Sequence, residues 1–124
     1  EMMRDFTYID DLVEAIRRLA DTPPVRPREG ETPKEGDSLS PVAPWRIVNI
    51  GNANPIQLTE LIEAIEEAIG RRAQRNLMPM QPGDVRETWA DIGLLKALTG
   101  YAPTTDVRDG VRRFVDWYRG YYGV

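Results

Sequence analysis

Between positions 9 and 20 the apolar residues recur with a period near 3.6. Ile9, Leu12, Val13, Ile16 and Leu19 fall on one stripe, with Glu14, Arg17 and Arg18 outside it. That is the pattern of a helix burying one face. Phe6, Tyr8 and Ile9 are β-prone and predict a short strand ahead of it, and Asp10 and Asp11 place negative charge where a helix N-terminus favours it. The cleanest helix lies further on: Leu58, Leu61, Ile62, Ile65 and Ile69 keep helical spacing, Pro55 precedes them and Gly70 ends them. Two more helices are predicted near the C-terminus. Asp91 is the expected cap of one carrying Ile92, Leu95 and Leu98 and stopped by Gly100. Thr105 is the expected cap of the last, whose Val107, Val111, Phe114, Val115, Tyr118 and Tyr122 share a face expected to pack in the core.

Strand signals are weaker. "WRIVNIG", positions 45–51, reads as a buried strand closed by a Gly51-Asn52 turn, and 76–80 as one more short strand. The sum is an α+β (mixed α/β) fold of short strands and about four helices, in one domain over 1–124. Three short strands make a small sheet, so at least one sheet edge is expected to pair with something outside this chain. Positions 21–44 hold most of the prolines, two glycines and no apolar period. They read as an exposed loop, open to disorder around 29–40, because such a stretch buries too little apolar surface to offset its ordering entropy.

Composition narrows the chemistry. There is no histidine and no cysteine, which excludes imidazole acid/base catalysis, thiol nucleophiles, disulfides and the commonest zinc sites. The net charge of −4 comes from interspersed residues of both signs, so no basic block grips nucleic acid. No apolar run approaches the ~20 residues of a membrane span, and no signal-peptide pattern opens the chain. A soluble, cytoplasmic protein is expected. The start, Glu1-Met2-Met3 running at once into "RDFTYI", predicts either an initiation at Met2 behind an added residue or a piece of a longer protein.

One stretch fits neither period. "PMQPGDVRETWAD", positions 79–91, packs two prolines, a Gly-Asp pair and a Trp between regular segments, as a turn-rich binding loop would. Gly83 would let the backbone turn, Asp84 would be presented by that turn, and Trp89 with Ala90 would return the chain to the core. Asp84 is suited to accept two vicinal hydroxyls, and Arg4, ahead of a strand, is suited to a phosphate through its planar fork of donors. Against dinucleotide chemistry stand two absences. No three-glycine loop opens a helix after a strand, and no Tyr is followed four residues on by Lys, the pairing that lowers a phenol's pKa. No catalytic residue is expected within these 124 positions.

Four collinear blocks, "RDFTYIDDLVEAI", "WRIVNIGNANPIQLTELIEAIEEAIG", "MPMQPGDVRETWAD" and "LTGYAPTTDVRDGVRRFVDWYRGYY", resemble the C-terminal part of nucleotide-sugar epimerases and dehydratases of the extended short-chain dehydrogenase/reductase superfamily. "MQPGDV" and the Pro-rich insertion before "NIG" are most similar to the UDP-glucuronate 4-epimerase branch. The resemblance implies the small substrate-binding domain of an enzyme whose Rossmann half, absent here, holds NAD. A Tyr of that half would take the sugar's 4-hydroxyl proton while hydride passes from C4 to NAD, and the keto sugar would turn over before hydride returns. It further implies Arg4 on the UDP diphosphate and Asp84 on the uridine ribose. Gln81 stands where UDP-galactose 4-epimerases have a second diphosphate Arg, which favours the uronate branch, and Arg86 is a candidate to compensate. Partners implied are a UDP-sugar, the chain's own N-terminal Rossmann domain and a second copy of the full-length enzyme, since relatives dimerise through Rossmann helices. Two alternatives stay open: the same domain of an epimerase or dehydratase for another nucleotide sugar, UDP- or dTDP-linked, and a stand-alone, non-catalytic nucleotide-sugar-binding module.

Overall fold

A computed structural model describes residues 2–124. Seven elements follow in order: β1 (Met3–Arg4), α1 (Ile9–Ala20), β2 (Ile56–Gln57), α2 (Leu58–Ile69), β3 (Glu87–Thr88), α3 (Gly93–Thr99) and α4 (Val107–Tyr122). The architecture is α+β, with four helices around a three-stranded sheet of order β2-β1-β3. β1 is central, antiparallel to β2 with Arg4 opposite Ile56, and parallel to β3 with Arg4 opposite Thr88.

Each helix end has a local cause. In α1 acidic Asp10 and Asp11 open the first turn and Arg17 and Arg18 close the last, complementing the helix dipole at both ends. Glu14 accepts from both arginines, at 2.8 Å and 2.6 Å. α2 begins with a capping box between Gln57 and Glu60 and ends on Gly70 in the left-handed conformation, as the expected stop requires. Gly100 ends α3 in the same way. The N-cap of α3 is Ile92 and not the expected Asp91, which lies one residue ahead and accepts the Gly93 N–H at 2.8 Å. For α4 the cap is Asp106 rather than Thr105: its carboxylate accepts the Arg108 N–H at 2.9 Å, while the Thr105 N–H is directed to Asp11.

The buried core is built of small and branched residues, Ala15, Ala64, Leu95 and Val115. α2 packs on α4 and α1 on α3, and the two alanines let helix backbones approach where larger side chains would hold them apart. Gly110 of α4 serves the same end, since a Cβ there would sit 3.1 Å from the Tyr8 ring. The α2–α4 pair is tied at its far end by Arg119, which donates to the Ile69 carbonyl at 2.8 Å.

Three expectations are corrected. The strand before α1 is Met3–Arg4, ahead of Phe6, because β2 and β3 pair there. Positions 45–51 and 76–80 are not strands. Around Ile47 the polar backbone is served by the Ser38 hydroxyl instead of a ladder, and Leu77 is 85% exposed with no sheet to lie on. The aromatic face of α4 is also not core: Phe114, Trp117, Tyr118, Tyr121 and Tyr122 are exposed and stack along the helix on one another. Periodicity identifies a face but not what covers it. The Pro-rich stretch 21–44 is tied to the segment that follows it: Asp37 forms a largely buried ion pair with Arg46 at 2.8 Å, and Ser40 is buried with its N–H on the Trp45 carbonyl.

Candidate functional site

The irregular stretch 79–91 is a turn at 81–84 followed by the two-residue strand β3. Gln81-Pro82-Gly83-Asp84 closes a turn in which the Asp84 N–H donates to the Gln81 carbonyl at 3.2 Å and Gly83 has φ of 92°. A proline second and a positive-φ glycine third are the requirements of a type II turn. The Gln81 side-chain amide donates to the Pro79 carbonyl at 3.2 Å. Beyond Asp84 the chain straightens and runs alongside β1. The Met3 N–H donates to the Arg86 carbonyl at 2.8 Å and the Asp5 N–H to the Thr88 carbonyl at 3.1 Å.

That pairing brings Arg4 to the base of the loop. Arg4 lies in β1 itself, not ahead of a strand, and its guanidinium donates to the Met3 and Val85 carbonyls, each at 2.8 Å. The predicted phosphate-binding cation therefore touches the residue next to Asp84, although 81 residues separate Arg4 from Val85 in sequence. Gln81, Asp84 and Arg86 are all exposed and Arg4 is half-buried, an arrangement in which an anionic ligand can be reached from solvent by a backed cation and a turn carboxylate. Trp89 does not return to the core as expected; it is 63% exposed, and the chain re-enters through Ala90 instead.

The residue that holds this arrangement was not singled out from sequence. Asp5, next to Arg4, accepts the N–H groups of Asn52 at 3.1 Å, Ala53 at 3.0 Å and Ala90 at 3.4 Å. Ala53 sits at a positive φ of 53°, a conformation uncommon outside glycine. Gly51 is buried against the same carboxylate: a Cβ there would lie 2.6 Å from the Ala90 Cβ and 2.7 Å from Asp5 Oδ2. A signal existed, since a carboxylate beside a strand-like apolar run needs donors from elsewhere, but nothing in the sequence said which.

A second carboxylate hub lies away from the loop. Asp11 accepts from the Tyr101 hydroxyl at 3.0 Å, the Thr104 N–H at 3.2 Å and the Thr105 N–H at 2.9 Å. Burial alone would raise its pKa, but the hydrogen bonds from Thr105, Tyr101 and Thr104 outweigh it and hold the carboxyl below the usual range. Burial, followed by the bond to Asp11, pushes the Tyr101 phenol up to about 12, so it is a structural donor and not a base near neutrality. Arg18 lies over its ring at 4.7 Å.

The described residues do not fit a dinucleotide. β2 runs straight into α2 through Gln57 and the capping box, where a phosphate cradle would need glycine and open N–H groups. No cluster of metal-ligating side chains occurs among the described residues, and no helix there is long and apolar enough to cross a membrane.

No family model matches the sequence. Over 117 residues the chain is 50% identical to a probable UDP-glucuronate 4-epimerase of Rhizobium meliloti, an alignment covering 94% of this chain and 34% of that protein. The chain is homologous to a segment of the UDP-glucuronate 4-epimerases. Solved structures agree. The UDP-glucuronic acid 4-epimerase of Bacillus cereus in complex with UDP-glucuronic acid and NAD matches at TM-score 0.69 and 28% identity, over 98% of this chain and 33% of that one. MoeE5 in complex with the same two molecules matches at TM-score 0.73 and 26% identity, over 97% and 34%. The chain spans about a third of the length of the curated relatives it matches.

Proposed function

We propose that this chain is the UDP-sugar-binding part of an NAD-dependent UDP-glucuronate 4-epimerase. The observation that carries the reading is the junction of β1 with the 81–88 loop, where Arg4 donates to Val85 beside the turn that presents Asp84. Arg4 pairs with the diphosphate, its planar fork offering donors to more than one oxygen. Asp84 accepts the two ribose hydroxyls. Gln81 replaces a second cation with a neutral donor at the diphosphate, and Arg86, two residues beyond Asp84, supplies positive charge to the same ligand.

Gripping the nucleotide is this chain's contribution to catalysis. Binding energy from the non-reacting UDP holds the hexose carbon in place while leaving the sugar ring free to turn. NAD, which the matched structures contain, supplies the hydride chemistry. Its site belongs to a Rossmann domain outside these residues, and the complete enzyme is a cytoplasmic homodimer. Two further readings remain to be separated by experiment, an epimerase or dehydratase of another nucleotide sugar and a non-catalytic binding module. Gln81 in place of an arginine favours the uronate substrate over UDP-galactose.

The test is made in the full-length protein that carries this chain. Arg4→Ala and Asp84→Ala each weaken UDP and UDP-glucuronate binding by calorimetry, by about tenfold or more for loss of a charged hydrogen-bonding partner. Unchanged affinity in both variants overturns the reading. Turnover with UDP-glucuronate but not with UDP-glucose or dTDP-glucose assigns the sugar.

A further inference from the structure

The loop that carries Gln81 and Asp84 has no core of its own. Every residue from 81 to 89 is exposed, so no buried side chain sets where Asp84 stands relative to Arg4. A loop of this kind, left to itself, samples many positions, and a ligand would have to supply the ordering free energy on binding. Its position comes from anchors at its base. Two of these are backbone bonds, from the Met3 N–H to Arg86 and from the Asp5 N–H to Thr88, and a third is the Arg4 bond to Val85. The fourth is Asp5.

Asp5 does more than hold the loop's exit. Its Oδ2 takes the Ala90 and Ala53 N–H groups and its Oδ1 the Asn52 N–H, so one carboxylate joins three segments distant in sequence. Gly51 is what lets them meet, because its missing Cβ leaves the space that Ala90 and Asp5 occupy. The turn is fastened on its other side by Asn52, whose side-chain amide donates to the Thr105 carbonyl at 3.3 Å, just ahead of α4. The loop's exit is thereby referenced to the helical body as well as to β1.

We propose that Asp5, with the space left by Gly51, is the positioning element of the nucleotide grip, holding the 81–90 loop so that Asp84 and Arg4 meet one ligand in the geometry it requires. This rests on the reading of the loop as a UDP site. Asp5 touches no ligand in this scheme; it acts through Arg4 and the loop.

The deciding variant is Asp5→Asn in the full-length enzyme. It keeps the side chain's shape but turns one acceptor oxygen into an amide facing backbone donors. Kd for UDP and KM for UDP-glucuronate rise together by about tenfold, because a displacement of an ångström at a binding group is costly, while kcat falls by a smaller factor. A purely structural carboxylate behaves differently: activity falls with the folded fraction, and KM and Kd stay at their wild-type values, which overturns the proposal. Should Asp5→Asn not fold, Gly51→Ala decides by the same two readouts, since its Cβ displaces the Asp5 carboxylate without removing it. Arg4→Ala and Asp84→Ala run alongside. If they leave UDP affinity unchanged the UDP reading itself fails; if they weaken it while Asp5→Asn and Gly51→Ala do not, only the positioning inference fails.

Discussion

Two aspartates near the start of the chain do the same local job for different segments of the molecule. Asp5 accepts three backbone N–H groups, and Asp11 accepts two with a phenol hydroxyl. What differs is what they tie. Asp11 joins α1 to the turn ahead of α4, where Tyr101, with Arg18 over its ring, donates to it. Asp5 joins β1 to a turn and to a loop whose tip is wholly exposed. The same carboxylate chemistry therefore serves stability where its partners are already packed, and placement where its partners have nothing else to hold them.

The comparison is broken most severely by Asp11→Ala. Removing an acceptor of three hydrogen bonds leaves the Thr104 and Thr105 N–H groups without it and costs about 1–3 kcal/mol. A lower denaturation midpoint with unchanged UDP affinity is expected; a loss of affinity at full stability would erase the distinction between the two hubs. Asp5→Asn is expected to show the reverse balance, with a smaller loss of midpoint than Asp11→Ala and a larger loss of affinity.

Tyr101→Phe sharpens the contrast through pH. The Asp11 carboxyl is held low in the fold, so its contribution is present above its unfolded pKa near ~4 and is lost as pH falls through the folded value. Tyr101 is raised to about 12, so its contribution is present below its unfolded pKa near ~10 and is lost as pH rises toward the folded value. Thermal melts of Tyr101→Phe should lose about 1 kcal/mol near neutrality, flatten the alkaline fall and weaken the acid one. Melts that keep the wild-type alkaline slope would remove Tyr101 from the hub.

The smallest stability effect is expected at the loop tip. Gly83→Ala forces a Cβ onto a φ of 92°, a strain of about 1 kcal/mol, but the tip relaxes because it packs on nothing. Little change in midpoint with a measurable loss of UDP affinity is the expected pair. A fall in midpoint as large as that of Asp11→Ala would mean the turn supports the fold and not the ligand.

Helices were far more legible than strands. The helix from Leu58 to Ile69 is legible in its period and in Gly70 behind it, because both signals are local. "WRIVNIG" carries the β-propensity and the closing turn of a strand, but neither supplies a neighbour to pair with. β3, two residues long and wholly exposed, carried no apolar alternation to read. The site divided in the same way. Motif and order nominate Arg4, Gln81, Asp84 and Arg86 as candidates, while Asp5 and Gly51 carry no such signal, because a hydrogen-bond hub is defined by partners that sequence does not place.

By itself, then, the sequence determined four amphipathic helices, two of them with their glycine stops, a proline- and glycine-shaped loop bearing Asp84, and the exclusion of histidine and cysteine chemistry within these residues, all of which depend on residue type and near neighbours. Only the tertiary structure decided that Arg4 lies against Val85, that β3 falls inside the loop, that the α4 aromatics face outward, and that Asp5 fastens the whole arrangement. Those are contacts between segments tens of residues apart, and their geometry follows from how the helices and the small sheet pack, which no local pattern records.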